Sequence, residues 1–208
     1  AVSTLQSTST AALSSLLAMG QWGHALGYLA IVLSFIIGSL VSTLAIGSGL
    51  RRGIGTIYAR VILVEAALLA ALGLARMALD RSAGVPMLII GLAFLMGQQN
   101  AIVTHISNAR VRTTHVSGMA TDIGIGLARM LDILRGKAGP ADRGEITTRL
   151  SLHTGTVLSF LLGGVAGVLA WRIVGDLCFV IAGLVLAAIA ATSMRRAGQT
   201  VPQNDPLD

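Results

Sequence analysis

The sequence has few charged residues, few aromatic residues and one cysteine, and each shortage excludes a class of protein. Charged residues make up 12% of the chain and hydrophobic residues 54%, whereas a soluble domain carries about 25% charged residues. Aromatic residues, at 4%, do not alternate with basic ones, so nucleic-acid binding is not expected despite the net charge of +6. The lone Cys178 can form neither an internal disulfide nor a metal-ligand cluster, so we expect no metal and no cofactor.

Five apolar runs are long enough to cross a bilayer, which takes about 20 residues of helix. Backbone groups in lipid must bond within their own segment, and the period-two alternation of a β-barrel is absent. We therefore expect an all-α integral membrane protein, with the lipid bilayer as its partner. The predicted spans cover roughly residues 25–49, 60–79, 85–106, 150–171 and 175–194.

Basic residues are unevenly divided between the two sides of the predicted bundle. Of the 15 Lys and Arg residues, Arg76, Arg81 and Arg172 fall on one side and the other twelve on the opposite side. The positive-inside rule places the larger group in the cytoplasm. The first span then starts outside, and residues 197–208 form a cytoplasmic C-terminal tail.

Two stretches of the chain resemble each other. Residues 32–45 read VLSFIIGSLVSTLA and residues 157–170 read VLSFLLGGVAGVLA, which is seven identities in fourteen positions. The helices that follow, 61–75 and 177–191, align more weakly. The charge count orients the two copies oppositely, so the sequence predicts two inverted repeats of three helices each.

The predicted repeats cover residues 1–84 and 85–196, and the first lacks its first helix. Either the parent protein has a transmembrane helix before Ala1, which would give six spans and a cytoplasmic N-terminus, or this copy is degenerate. Inverted repeats recur in transporters, with the site at the repeat interface. A duplication that serves packing alone gives the same pattern.

Small residues recur at helical spacing on the first and fourth predicted spans. Such faces allow two helices to approach closely, and we interpret them as structural. The residues concerned are Gly38, Ser42, Ala45, Gly163 and Gly167.

Polar side chains end the third span, where their cost in lipid points to function or to helix contacts. The amides could bind a polar solute or bond between helices, and both interpretations are open. Their spacing places Gln98 on the face of Ile102 and Asn100 on the face of Thr104. The substrate-binding candidates here are Gln98, Gln99, Asn100 and Thr104.

The stretch RTTHVSGMATDIG, residues 112–124, is unusually polar for this chain. Ser117 and Gly118 could interrupt a helix, so that Thr121 and Asp122 open the next one and its N-terminus attracts an anion. The alternative is an ordinary N-capped helix lying on the headgroups, so segment 107–145 is either re-entrant or interfacial. The substrate-binding candidates of this stretch are Thr113, Thr114, Ser117, Gly118 and Thr121.

Four titratable residues are candidates for a proton or ion relay: His105, His115, Asp122 and Glu65. His115 beside Asp122 could titrate near neutral pH, although a lone histidine is more often a hydrogen-bonded structural residue. Glu65 is predicted about one turn inside the second span. There it either snorkels, pairs with a neighbour or binds a coupling ion.

Residues 97–131 resemble the signature of the YoaK-like family of bacterial inner-membrane proteins, known as domain of unknown function 1275. Ser117 stands where that family has Thr, and the family's first helix has no counterpart in this chain. The resemblance implies a multi-span protein of the inner membrane, often interpreted as a transporter, with no defined substrate. The matching residues are Gly97, Gln99, Asn100, Ala101, Arg112, Thr113, Thr114, His115, Ser117, Gly118, Thr121, Asp122 and Gly124.

An enzyme is not expected, because the sequence has no G-x-S-x-G, no H-E-x-x-H and no phosphate-binding loop. The leading expectation is secondary transport of a small, unidentified solute, in one version coupled to protons. The alternative is a multi-span membrane scaffold or partner subunit without transport. Both are compatible with a homo-oligomer.

Overall fold

The computed structural model describes residues 15, 18–20, 22–107, 116–136 and 143–199. The candidates Thr113, Thr114 and His115 lie outside these described residues. The described chain is helical and contains no strand. Its helices are α1 (Trp22–Arg51), α2 (Ile57–Ala78), α3 (Arg81–Ile106), α4 (Val116–Leu134), α5 (Arg143–Val174) and α6 (Leu177–Gln199).

Five of these helices are long and apolar enough to cross a membrane, which agrees with the predicted number of spans. The differences lie at the ends: α2 begins at Ile57 rather than near residue 60, and α5 begins at Arg143 rather than near residue 150. Polar residues at a helix end do not interrupt the backbone hydrogen bonds, so a helix can start before its apolar run. The spans are Ala25–Arg51, Ile57–Ala78, Ser82–Ile106, Arg143–Val174 and Leu177–Ala197.

Helix α4 is continuous through the stretch for which a break was one of two alternatives. Ser117 and Gly118 lie in its first turn, and Thr121 and Asp122 follow within the same helix instead of opening a new one. The alternative in which Ser117 and Gly118 interrupt a helix is therefore not found within α4, because a single glycine costs a helix only about 1 kcal/mol. Polar and apolar residues occupy different faces of α4, as in helices that lie at a membrane surface.

The described chain divides into two compact units. The smaller unit comprises the described residues of Val103–Leu169, which include α4 and most of α5. The larger unit comprises those of Val2–Ile102 and Ala170–Asp208, which include α1, α2, most of α3 and α6.

In the larger unit, α1 and α3 lie side by side and run parallel. Ser34 Oγ donates a hydrogen bond to the carbonyl oxygen of Ile90 at 2.8 Å. One turn further on, Gly38 faces the backbone of Phe94 so closely that an added Cβ would collide with its carbonyl oxygen. Gly97 makes the reciprocal approach to the backbone of α1. Glycine on both helices thus allows backbone-to-backbone contact.

Helices α2 and α6 also pack closely, but antiparallel. A Cβ built on Gly73, near the end of α2, would lie 2.9 Å from Phe179 Cβ, near the start of α6. A Cβ built on Gly183 would lie 2.7 Å from the carbonyl oxygen of Ala66, nearer the start of α2. The end of α2 therefore contacts the start of α6, and a point nearer the start of α2 contacts a point further along α6, so the two helices run in opposite directions.

An ion pair joins the end of α2 to the start of α6. Arg76 Nε lies 3.8 Å from Asp176 Oδ2, and both side chains are half-buried. Gly175, beside this pair, adopts φ +60 in the two-residue turn between α5 and α6, a conformation that side chains with a Cβ rarely adopt. The short turn fixes the start of α6 against α2.

Where α1, α2 and α3 meet, the larger unit has an apolar cluster. Its members are almost fully buried, and they come from near the end of α1, the start of α2 and the end of α3. Close packing in lipid depends on such interlocking side chains, because water is absent as a driving force. The cluster consists of Ile46, Ile57, Val61 and Ile102.

We predict that Gly38→Ala destabilises the protein by about 1–3 kcal/mol, the usual cost of overpacking. The added methyl group meets a backbone carbonyl, which cannot change rotamer to escape. The measurement is the thermal unfolding midpoint of the purified protein in detergent.

Gly163→Ala is the matched control for this variant. Gly163 occupies the same place in the second VLSF stretch, and a Cβ built there meets nothing within 4 Å. It should therefore unfold at the wild-type temperature or slightly above, since alanine favours helix. Equal midpoints for the two variants would contradict the close approach at Gly38.

Candidate functional site

Three polar residues are buried within the apolar helices of the larger unit. Ser42 on α1 is 0% exposed, Glu65 on α2 is 2% exposed and Gln98 on α3 is 3% exposed. Among the described residues, these are the buried side chains that are polar or charged. We refer to Ser42, Glu65 and Gln98 as the polar layer.

The polar layer is stacked on the apolar cluster, one helical turn away. Residues four apart lie on the same face of a helix, one above the other. From the cluster, the polar layer is reached by going four residues back along α1 and α3 and four residues forward along α2. Because α2 is antiparallel to α1 and α3, these three steps point in the same direction along the bundle. The pairs are Ile46 and Ser42 on α1, Val61 and Glu65 on α2, and Ile102 and Gln98 on α3.

The polar layer lies close to the middle of the apolar spans. Ser42 is four residues from Gly38, the midpoint of the span in α1, and Gln98 is four residues from Phe94, the midpoint in α3. At about 1.5 Å of rise per residue, each lies about 6 Å from its midpoint, and Glu65 lies about 4 Å from the midpoint in α2. Polar groups at this depth are expensive and default to a functional role.

Hydrogen bonds satisfy the polar layer only in part. The Glu65 side chain shares a hydrogen bond with the side chain of Gln99, the next residue along α3 from Gln98. Ser42 Oγ and Gln98 Oε1 are buried and have no hydrogen-bond partner within the described part of the chain. A buried polar atom without a partner costs about 1–3 kcal/mol, so each calls for an explanation.

The unpartnered hydroxyl of Ser42 contrasts with other hydroxyls in these helices. Ser48 Oγ donates to the carbonyl oxygen of Ala45 at 2.9 Å, and Thr192 Oγ1 donates to that of Ile189 at 2.8 Å. Such bonds to the preceding turn are the usual way in which a helical hydroxyl is satisfied. Ser42 Oγ does not make such a bond to the preceding turn, so its oxygen is available to another group.

The predicted candidates at the end of α3 separate into a buried and an exposed group. Gln98 is buried on the face of Ile102, as the spacing predicted. Asn100 is half-buried, while Thr104 and His105 are exposed in the last turn of the helix. Gln99 is also exposed and reaches the polar layer only through its hydrogen bond to Glu65, so of these residues Gln98 alone belongs to the layer.

Glu65 lies deeper than the sequence indicated. Helix α2 begins at Ile57, so Glu65 is more than two turns inside the helix rather than about one. A snorkelling position is excluded, because the side chain is buried and hydrogen-bonded within the bundle. The interpretations as a paired residue and as an ion ligand are both compatible with this position.

In the smaller unit, a charged pocket of about 680 Å³ lies between α4 and the first turns of α5. Its carboxyl groups come from Asp122 and Glu145 and its guanidinium groups from Arg129 and Arg149, with His153 beside them. Glu145 and Arg149 form an exposed ion pair at 2.7 Å, which contributes little to stability. The pocket is open and balanced in charge, and its side chains can satisfy each other or water.

The candidates on α4 are exposed. Gly118 and Thr121 face outward, and Asp122 lines the charged pocket. The side chain of Ser117 is not among those described. The predicted candidates thus divide between the two units, with Glu65, Gln98, Gln99 and Asn100 in the larger one.

Ser42 is the residue that the sequence interpretation missed. It was assigned to a small-residue packing face together with Gly38 and Ala45. Its level along the bundle relative to Glu65 could have revealed it. Because α1 and α2 form an antiparallel hairpin, the residue numbers of two residues at the same level add up to a nearly constant value. Gly49 contacts Ile57, which gives this value for the hairpin. The residue numbers of Ser42 and Glu65 add up to nearly the same value, so these two residues lie at the same level.

One family model matches the chain, over residues 2–192, and its description is "Protein of unknown function (DUF1275)". No curated protein and no solved structure matches the chain.

We predict that Ser42→Ala and Gln98→Leu each leave stability unchanged or raise it by up to about 3 kcal/mol, because each removes an unpartnered buried oxygen. The measurement is thermal unfolding of the purified protein in sodium-free buffer. Ser34→Ala is the control, since it removes a made hydrogen bond to Ile90 and should lower the midpoint. Strong destabilisation by Ser42→Ala would show that its hydroxyl serves the fold.

Proposed function

The chain belongs to the family of proteins of unknown function DUF1275, and we propose that it is a secondary transporter that moves a small solute across the bacterial inner membrane. The observation that carries the proposal is the polar layer. A carboxyl group, an amide and a hydroxyl are each buried one turn from the same apolar cluster, near the middle of apolar spans. Polar residues at that depth mark substrate and ion pathways.

Coupling to protons is part of this proposal, and Glu65 is the residue that would carry it. Among the described residues of the five spans, it is the buried carboxyl group near mid-depth. A carboxyl group can bind a proton from one side of the membrane and release it to the other. The Gln99 side chain holds Glu65 in place for this exchange.

Packing within the larger unit supports the proposed inverted repeats, residues 1–84 and 85–196. Stretches 61–75 and 177–191 align in sequence, and α2 and α6, which carry them, pack antiparallel. Two copies of opposite orientation require this arrangement of equivalent helices. The proposal also keeps the cytoplasmic placement of the C-terminus, which follows from the distribution of Arg and Lys.

We expect Ser42→Cys and Gln98→Cys, each made after replacing Cys178 with Ala, to react with a water-soluble maleimide from at least one side of the membrane. A transporter must expose its site to water during its cycle. Leu44→Cys is the control and should stay unreactive, because Leu44 is an exposed apolar residue on the lipid-facing surface of α1. Layer residues that stay sealed from both sides would favour a scaffold instead.

A second prediction concerns Glu65→Gln, which keeps the shape of the side chain but cannot bind a proton. In proteoliposomes that contain a pH-sensitive dye, a panel of amino acids, sugars and organic acids should reveal solute-dependent proton movement in the wild type. Glu65→Gln should abolish that movement, whereas Glu145→Gln, at an exposed ion pair, should retain it. Unchanged movement in Glu65→Gln would remove Glu65 from the mechanism.

A further inference from the structure

The polar layer presents oxygen atoms from three helices, and two of these oxygens have no hydrogen-bond partner within the described chain. Glu65 supplies a carboxyl group, Gln98 supplies Oε1 and Ser42 supplies Oγ. The amide oxygen can only accept, and within the described chain neither it nor Ser42 Oγ has a partner. A group that several oxygens can share would satisfy both of them.

A cation meets that requirement, whereas an apolar solute or an anion does not. Hard cations bind oxygen ligands such as carboxylates, amide carbonyls and hydroxyls. An apolar solute would leave Ser42 Oγ and Gln98 Oε1 unsatisfied, and an anion would be repelled by the Glu65 carboxylate. The set of ligands thus indicates a positive ion.

The charge of the site indicates an ion with a single positive charge. Glu65 contributes one negative charge, and a buried charge must be compensated to be tolerated. A divalent ion would leave one positive charge uncompensated at membrane depth, which is expensive. One carboxylate and one monovalent cation give a neutral site.

Other charged and titratable groups on the surrounding helices lie well away from Glu65. On α1 the nearest is Arg51, nine residues beyond Ser42, and on α3 it is His105, seven residues beyond Gln98. On α6, Cys178 lies near the opposite end of α2, and Arg195 lies about as far from the level of Glu65 in the other direction. On α2 itself, Arg60 is five residues before Glu65 and Tyr58 seven. Among described groups, Glu65 therefore has no charged competitor in the polar layer.

We propose that Ser42, Glu65 and Gln98 form a binding site for a sodium ion, which competes with a proton for the Glu65 carboxylate. Sodium is favoured over potassium because α1 and α3 are in backbone contact one turn away, at Gly38 and Phe94, which leaves space for the smaller ion. The role of sodium as a coupling ion rests on the proposed transport function. The binding of sodium does not.

The test uses dicyclohexylcarbodiimide, which modifies protonated carboxyl groups in apolar surroundings. The Glu65 carboxyl oxygen bonds to the central carbon of the reagent while its proton moves to a reagent nitrogen. The acyl group then shifts to nitrogen and leaves a stable adduct that carries the full mass of the reagent. Sodium bound at Glu65 excludes the proton and so slows the reaction.

The experiment measures adduct formation at Glu65 by mass spectrometry on the full chain in detergent, in sodium, potassium or choline chloride at equal ionic strength. At a sodium concentration about ten times the dissociation constant, about one tenth of the sites stay free, so labelling should slow about tenfold. Potassium and choline should give equal rates. Ser42→Ala and Gln98→Leu should lose the protection by sodium.

Thr43→Ala is the matched control, because Thr43 is the neighbouring hydroxyl and is exposed on the outer face of α1. It should keep the wild-type protection. Protection that persists unchanged in Ser42→Ala and Gln98→Leu would overturn the assignment of the ligands. If Gln98→Leu does not fold, Ser42→Ala and Gln98→Met decide the same question.

Labelling that depends on pH but not on sodium would show a site for protons alone. It would overturn the sodium proposal and leave proton-coupled transport standing. If the reagent does not reach Glu65, a sodium-dependent rise in the unfolding midpoint that Ser42→Ala removes supports the site, and the absence of such a rise overturns it. Sodium protection combined with Ser42→Cys sealed from both sides would keep the ion site and reject transport.

Discussion

The cost of placing a polar group where no water can reach it determines most of this structure. In lipid, each backbone amide must find its partner within its own helix, so the five apolar runs have no alternative to spanning helices. The same cost applies to side chains, and the described spans bury few polar ones. Ser42, Glu65 and Gln98 are the exceptions. Their oxygens are therefore the candidates for a functional role in the larger unit.

Helical periodicity explains why these exceptions lie together. The apolar cluster fixes how α1, α2 and α3 face one another, and a step of four residues from each member leads to the polar layer. The cluster lies on the side of Arg51 and Arg52, between those basic residues and the layer. An apolar barrier thus separates the polar oxygens from that end of the bundle. On the opposite side, the glycine contact between α1 and α3 closes the interior.

Sequence alone predicted the fold class and the number of spans, because each depends on local composition. It also assigned Gln98 and Ile102 to one face, since that relation lies within a single helix. It underestimated the depth of Glu65, because the helix starts before the apolar run does. It missed Ser42, whose significance depends on its position relative to another helix. It left open whether Ser117 and Gly118 break a helix, because one glycine is a weak signal beside a long amphipathic pattern.

The contact between Gly38 and Phe94 has a mechanical consequence. It joins the midpoints of α1 and α3 through main-chain atoms, which have no alternative rotamers with which to follow a displacement. Sliding one helix along the other would bring side chains into a space that only glycine fits. The pair is therefore expected to translate and rotate as one rigid element. Any rearrangement that admits water to the buried oxygens would then have to separate α2 from this pair.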